Sequence, residues 1–146
     1  NLAGSAAALD EASLAAARLA MRKQTGLSAD LIDVTPRFLV VPSEIETVAE
    51  KLLSAVQAQR TDDVNPFSGL TLVVEPRLTD PARWYVVADP ATVDGLEYAY
   101  LEGAPGPQIE TRQGFDVDGV EVKVRLDFGA GFVDWRSWHR NNGAAA

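Results

Sequence analysis

The stretch from Pro36 to Val56 constrains the fold most, because it sets two different elements back to back with hard punctuation. Phe38 to Val41 is a short, wholly apolar run held between Pro36 and Pro42. Aromatic and β-branched residues suit a pleated, buried surface, and proline limits a strand's length, so the run predicts a buried strand. Beyond Pro42, Ser43 stands where a helix N-cap belongs and Glu46 lies three residues on, the pattern of a capping box. Ile45, Val48, Ala49, Leu52, Leu53 and Val56 then recur with a 3.6-residue period, and Glu44, Glu46 and Glu50 sit where the helix dipole favours carboxylates. The stretch predicts a strand that turns into an amphipathic helix, and by itself it names no function.

What surrounds it predicts a mixed chain. Residues 1–8 are small and weakly patterned and predict a frayed end. Asp10 to Thr25 is alanine-rich, with Leu14, Ala17 and Met21 on one side, and predicts a helix that Gly26 stops. That helix packs either on its own domain or on a partner. Leu31 and Val34 anchor the connector that follows. Thr61 to Gly69 reads as a loop, and its adjacent Asp62 and Asp63 lack the oxygen-rich ladder of a calcium loop. Leu70 to Val74, Arg83 to Ala88 and Leu96 to Leu101 predict strands, with a Gly/Pro-rich turn at 103–107 and a further strand at Ile109 to Arg112. Asp118-Gly119 is a two-residue hairpin signal between Val117 and Val120. Val120, Val122, Val124, Leu126 and Phe128 then alternate with Glu121, Lys123, Arg125 and Asp127, which predicts a strand with one dry face, ended by Gly129 and Gly131.

Composition removes much of ordinary enzyme chemistry. The chain has 146 residues, no cysteine and one histidine, His139, so thiol nucleophiles, disulfides and paired-histidine metal sites are excluded within it. Its 21 acidic and 13 basic side chains give a net charge of -8, which does not draw a phosphate backbone. No apolar run approaches the ~20 residues of a membrane span. The start, Asn1-Leu2-Ala3-Gly4, has neither a basic segment nor an initiator Met and reads as a fragment or processed chain rather than a signal peptide. His139 could pair with Asp134 or a serine as a base, but no Gly-x-Ser-x-Gly turn presents a nucleophile. Gly103 to Pro107 lacks the Lys-Ser/Thr of a phosphate loop. Glu97, Glu102 and Glu110 read as solvated carboxylates. No catalytic, cofactor or metal residue is assigned. Trp135, Arg136, Trp138 and Arg140, close together near the end, are candidate interface residues, since Trp and Arg are enriched at contacts; the same pairs also stack as ordinary surface cover.

Three stretches together resemble the major head subunits of Mu-like phages and prophages. They are Met21 to Gly26 running through to Pro36–Pro42; Leu96 to Gly103 with Gly106-Pro107 and Glu110-Thr111; and Gly114 to Val120 through Asp127-Phe128-Gly129 to Asp134-Trp135-Arg136. The resemblance covers about residues 13–142, and the order and spacing of the pieces carry it. It implies an α+β chain with part of the tailed-phage major capsid fold, its carboxy-terminal portion: an axial domain plus sheet strands of a peripheral domain. On that reading 1–35 is an amino-terminal helix and connector and 36–95 an axial-type α/β region, with the helix Ser43 to Gln59 near the capsomer centre. Residues 96–142 become an antiparallel hairpin region of peripheral type and 143–146 a tail. The chain lacks an evident spine helix and extended loop, parts that embrace neighbouring subunits in the family, so on its own it is expected to be monomeric or weakly associated. The implied role is structural and non-enzymatic, in the virion and assembled in the host cytoplasm. Copies of the chain in capsomers are the implied partners, with scaffold or prohead protease besides, and with no cofactor, sequence-specific nucleic acid or membrane. A neck or tail accessory protein is the alternative within the same context, and a small hydrolase or ligand-binding domain the alternative outside it.

Overall fold

The apolar run before Pro42 becomes β1 (Pro36–Val41), an inner strand. Leu39 and Val41 are fully buried on one of its faces, and Pro42 is buried where it ends the strand. In the computed structural model residues 1–54, 65–114 and 118–144 are described. They fall into two units, Asn1–Gly95 with Asp134–Ala146, and Leu96–Val133.

The first unit is built on a four-stranded sheet in the order β2-β1-β3-β8, with β2 at Thr71–Val74, β3 at Trp84–Ala88 and β8 at Trp138–Asn141. β2 runs parallel to β1, while β3 is antiparallel to both β1 and β8. Helix α1 (Glu11–Arg22) lays Leu14, Ala17 and Met21, the expected stripe, against Leu39, Val41, Trp84, Val86 and Ala88. Helix α2 (Glu46–Leu53) adds Ala49, with Leu52 and Leu53 packed beside it. Full burial of a Val, Leu or Met side chain contributes about 1.5–3 kcal/mol, so this cluster is where the unit's stability lies.

Local chemistry departs from expectation at several points. The capping box at Ser43 does not form: Ser43–Ile45 is a 3-10 turn, α2 starts at Glu46, and neither start has a side-chain cap. Val48 is 47% exposed, off the buried stripe. Val56 and Gln59, like Asp62 and Asp63, lie outside the described residues. A capping box does form on α1, where Asp10 Oδ1 accepts from Ser13 N at 2.7 Å and Ser13 Oγ accepts from Asp10 N at 3.0 Å. That helix ends at Arg22, short of Gly26, because the chain turns back there to bridge Thr25 with Leu31. Val34 is buried but Leu31 is 73% exposed. Residues 1–8 are not a loose end. Ala3 N donates to Arg140 O, Arg140 N to Asn1 O, Ala7 N to Asn141 Oδ1 and Trp84 Nε1 to Ala7 O, which lays the segment along β8.

The second unit is a set of nested antiparallel pairs. β4 (Leu96–Tyr100) pairs with β7 (Phe128–Phe132), and β5 (Gln108–Gln113) pairs with β6 (Val120–Arg125). Gly129 and Gly131 therefore lie inside a strand instead of ending one. The β5–β6 connection is wider than a two-residue turn, since Gln113 faces Val120 and Gly114 N donates to Gly119 O. Val117 lies outside the described residues. Asp134 onward returns to the first unit, where β8 completes its sheet and Gly143 is buried.

Candidate contact surface

Period-2 alternation gives each ribbon two unlike faces. On β5–β6 one face carries Glu110 opposite Lys123 and Arg112 opposite Glu121, closed as ion pairs at 2.8 and 2.7 Å. The hydrogen bond from Lys123 holds the Glu110 carboxyl below its ordinary range. Such exposed pairs contribute little stability, but they leave that face electrostatically satisfied in water. The other face carries Ile109 opposite Val124, Thr111 opposite Val122 and Gln113 opposite Val120, with no charge. On β4–β7 one face carries Leu96, Tyr98, Tyr100, Phe128 and Phe132, and the other Glu97, Ala99, Gly129 and Gly131. Tyr98 and Phe128 stack at 5.9 Å, and Tyr100 lies 5.7 Å from Phe128.

None of these apolar faces is covered by described residues of their own unit. Val120, Val122 and Val124 are 62–65% exposed, Ile109 68% and Tyr98 69%. Among the described residues of this unit Ala104 alone is buried. The expected strand is present over 120–125 with the expected alternation, but its apolar face is not dry: Val122, Val124 and Leu126 are exposed along with Lys123 and Arg125. The reason is a missing layer, since a two-stranded ribbon has nothing of its own to lay over one face. This surface was legible as an amphipathic strand but not as an exposed apolar face, because amphipathicity does not say whose residues cover the apolar side.

The four candidate interface residues divide into two places. Trp135 and Arg136 sit in a 3-10 turn, Trp135–Ser137, capped by Asp134. Trp135 is 53% exposed with the Arg136 guanidinium 5.1 Å from its ring centre. Arg136 also pairs with Asp134 at 3.2 Å and donates from Nε to Thr25 O at 3.0 Å. Trp138 is half-buried and meets Tyr85 edge-on at 5.8 Å. The Arg140 side chain is exposed on the same face of β8.

Catalytic geometry is not assembled around His139. Its side chain faces the buried side of β8, 4% exposed, and its Nδ1 has no hydrogen-bond partner among the described residues. Burial, then the nearby amino-terminal charge, holds its pKa below the ordinary value. Asp134 is occupied by Arg136, and Ser137 Oγ donates to the Asp134 carbonyl, so neither supplies the partner a base requires. No three metal-ligating side chains cluster among the described residues, and none of their helices is long and apolar enough to cross a membrane. A cavity of about 140 Å³ lies beside Gly69, lined by apolar side chains with Arg18 and Arg22.

The family described as phage capsid protein matches the chain over residues 1–141. No curated protein and no solved structure matches it.

Proposed function

We propose that this chain, which belongs to the phage capsid protein family, is a structural subunit of a phage head that works through repeated contacts with copies of itself. The observation that carries the reading is the second unit, whose strands pair in full while Ala104 alone is buried among its described residues. An isolated two-stranded ribbon is at best marginal in water, and contiguous exposed apolar faces mark interaction sites. Its four described aromatics, Tyr98, Tyr100, Phe128 and Phe132, each bury about 150–250 Å² when covered and stand about half exposed, so they leave roughly 400 Å² bare. The exposed aliphatic side chains of β5–β6 add a further apolar face to the same unit. The ion-paired face of β5–β6 stays wet while the uncharged face is the one to desolvate. Trp135 with Arg136 on the turn, and Trp138 with Arg140 on β8, are two further contact points in the first unit.

In finer detail, the reading is a Mu-like phage or prophage major head subunit, its carboxy-terminal portion, with 36–95 of axial type and 96–142 of peripheral type. It takes scaffold or prohead protease as further partners and belongs to the virion. Electron microscopy of the full-length protein expressed alone is the test. Closed shells of uniform diameter are expected, and Val124→Lys in the same protein should abolish them while leaving the subunit folded. A uniformly small, non-assembling protein, or shells indifferent to Val124→Lys, would count against the reading.

A further inference from the structure

We propose that the open edge of β6 pairs antiparallel with the same edge of a second copy of this chain, about a two-fold axis at Val122; this deepens the capsid-subunit reading and rests on it. Among the described residues β6 pairs with β5 alone, so its other edge presents unpaired main-chain groups, a template for a further strand. Which groups face out follows from the register. Gly114 N donates to Gly119 O, and the pairing runs without a shift from Gln113 and Val120 to Gln108 and Arg125. Backbone direction alternates along an antiparallel strand, so Glu121, Lys123 and Arg125 turn their main-chain groups toward β5, while Val120, Val122 and Val124 turn theirs outward.

The side chains identify the occupant. Reversing β6 against itself about Val122 sets Glu121 beside Lys123 of the other copy, in both directions, and Arg125 beside Gly119, with no like charges in contact. Lys123 already pairs with Glu110 and Glu121 with Arg112. Each charged row across the four strands therefore runs Glu110, Lys123, Glu121, Arg112, alternating in sign. The two strands stand outside the chain's acidic excess, since Arg112, Lys123 and Arg125 outnumber Glu110 and Glu121. On the uncharged face Val122 meets Val122 and Val120 meets Val124, which joins the exposed valines of both copies into one patch of β-branched cross-strand pairs. Charge alone would also match Glu110 with Arg112 across two β5 edges, but there Thr111 meets Thr111 and Ile109 meets Gln113, so the valine pairs favour β6. An axis at Lys123 instead sets lysine on lysine. The contact is isologous and closes on a pair.

The absence of cysteine from the chain gives a clean background for cross-linking, and Val120, Val122, Val124 and Thr111 are all exposed, so cysteine is accommodated at each. Directly opposed residues of an antiparallel pair have Cα atoms about 4.5–5.5 Å apart, within reach of a disulfide. In about 0.1 M salt, Val122→Cys should link to itself roughly tenfold faster than Thr111→Cys, its counterpart on the β5 edge, once each rate is divided by that thiol's rate with glutathione. Val120→Cys and Val124→Cys should link to each other faster than either links to itself. On the Val122→Cys background, Glu121→Lys or Lys123→Glu alone should slow the bond, and the two proteins mixed should link preferentially to each other. Thr111→Cys that links as fast as Val122→Cys, Val124→Cys that prefers Val122→Cys to Val120→Cys, or charge variants that gain nothing on mixing would overturn the contact. Full-length Val122→Cys protein that closes shells without forming the bond removes this contact and leaves the capsid reading standing. Bonded pairs of a protein that never closes shells do the reverse.

Discussion

Valines do opposite things in the two units. Val41 and Val86, on β1 and β3, are fully buried beneath the helices, while Val120, Val122 and Val124, on an equally regular strand, are 62–65% exposed. The local pattern is good in both places, and what differs is the layer above. The first unit lays α1 and α2 over one face of its sheet, so its apolar side chains find partners within the chain. The described residues of the second are mostly paired backbone, and their apolar side chains find no cover within that unit. Ladder hydrogen bonds define the ribbon's shape, but they contribute little net stability without burial. The free chain should therefore owe its cooperative unfolding to the first unit, and its association to exposed surfaces such as the second.

The contrast is broken most severely at Trp84, which is fully buried and donates to Ala7 O. Trp84→Ala should cost about 3–5 kcal/mol and unfold much of the population in a urea titration. Next is acid. His139 is held neutral by burial, so the unfolded chain takes up its proton first, near the ordinary pKa of 6.5. The stability from this group is full above that pH and declines as pH falls toward the depressed folded value. The slope is no steeper than about 1.4 kcal/mol per pH unit for one proton. His139→Phe should flatten the profile between roughly pH 7 and 5 relative to the parent. Asp10→Ala removes the real cap and should cost about 1 kcal/mol. Ser43→Ala, which removes no cap bond, should leave the urea midpoint in place. The second unit should respond almost as little: Val124→Lys should move stability by no more than about 0.5 kcal/mol, because the side chain is already in water. A buried strand face would instead make that substitution ruinous.

The sequence was legible wherever a pattern and its partner lie inside one stretch. The α1 stripe Leu14, Ala17 and Met21 is such a case, as are the Pro36–Val41 strand and the alternation of 120–125. It was less legible where competing chemistry sits next door. Ser43 and Glu46 have capping-box spacing, but Pro42 is followed by a 3-10 turn that starts α2 at Glu46 itself. Asp10 and Ser13 form the box instead, with serine in the place of the usual Glu or Gln. Residues 1–8 have no pattern to read because main-chain bonds to Arg140 and side-chain bonds to Asn141 and Trp84 hold them, none of which local composition reveals. Gly129 and Gly131 look like terminators, yet they pair in register with Ala99 and Glu97. Of the candidate contact surface, Trp135 and Arg136 were visible as residue types, whereas the exposed ribbon faces depend on what does not pack against them within their unit.

Amide hydrogen exchange on the free and assembled chain tests the division most directly. In the free chain, amides of β1 and β3 such as Leu39 and Val86 should exchange through global unfolding, while those paired in β5–β6 and β4–β7 exchange through far cheaper local opening. On assembly, the ribbon amides should slow strongly and the core amides change little. Ribbon amides as protected as Leu39 and Val86 in the free chain, or unchanged on assembly, would contradict the account.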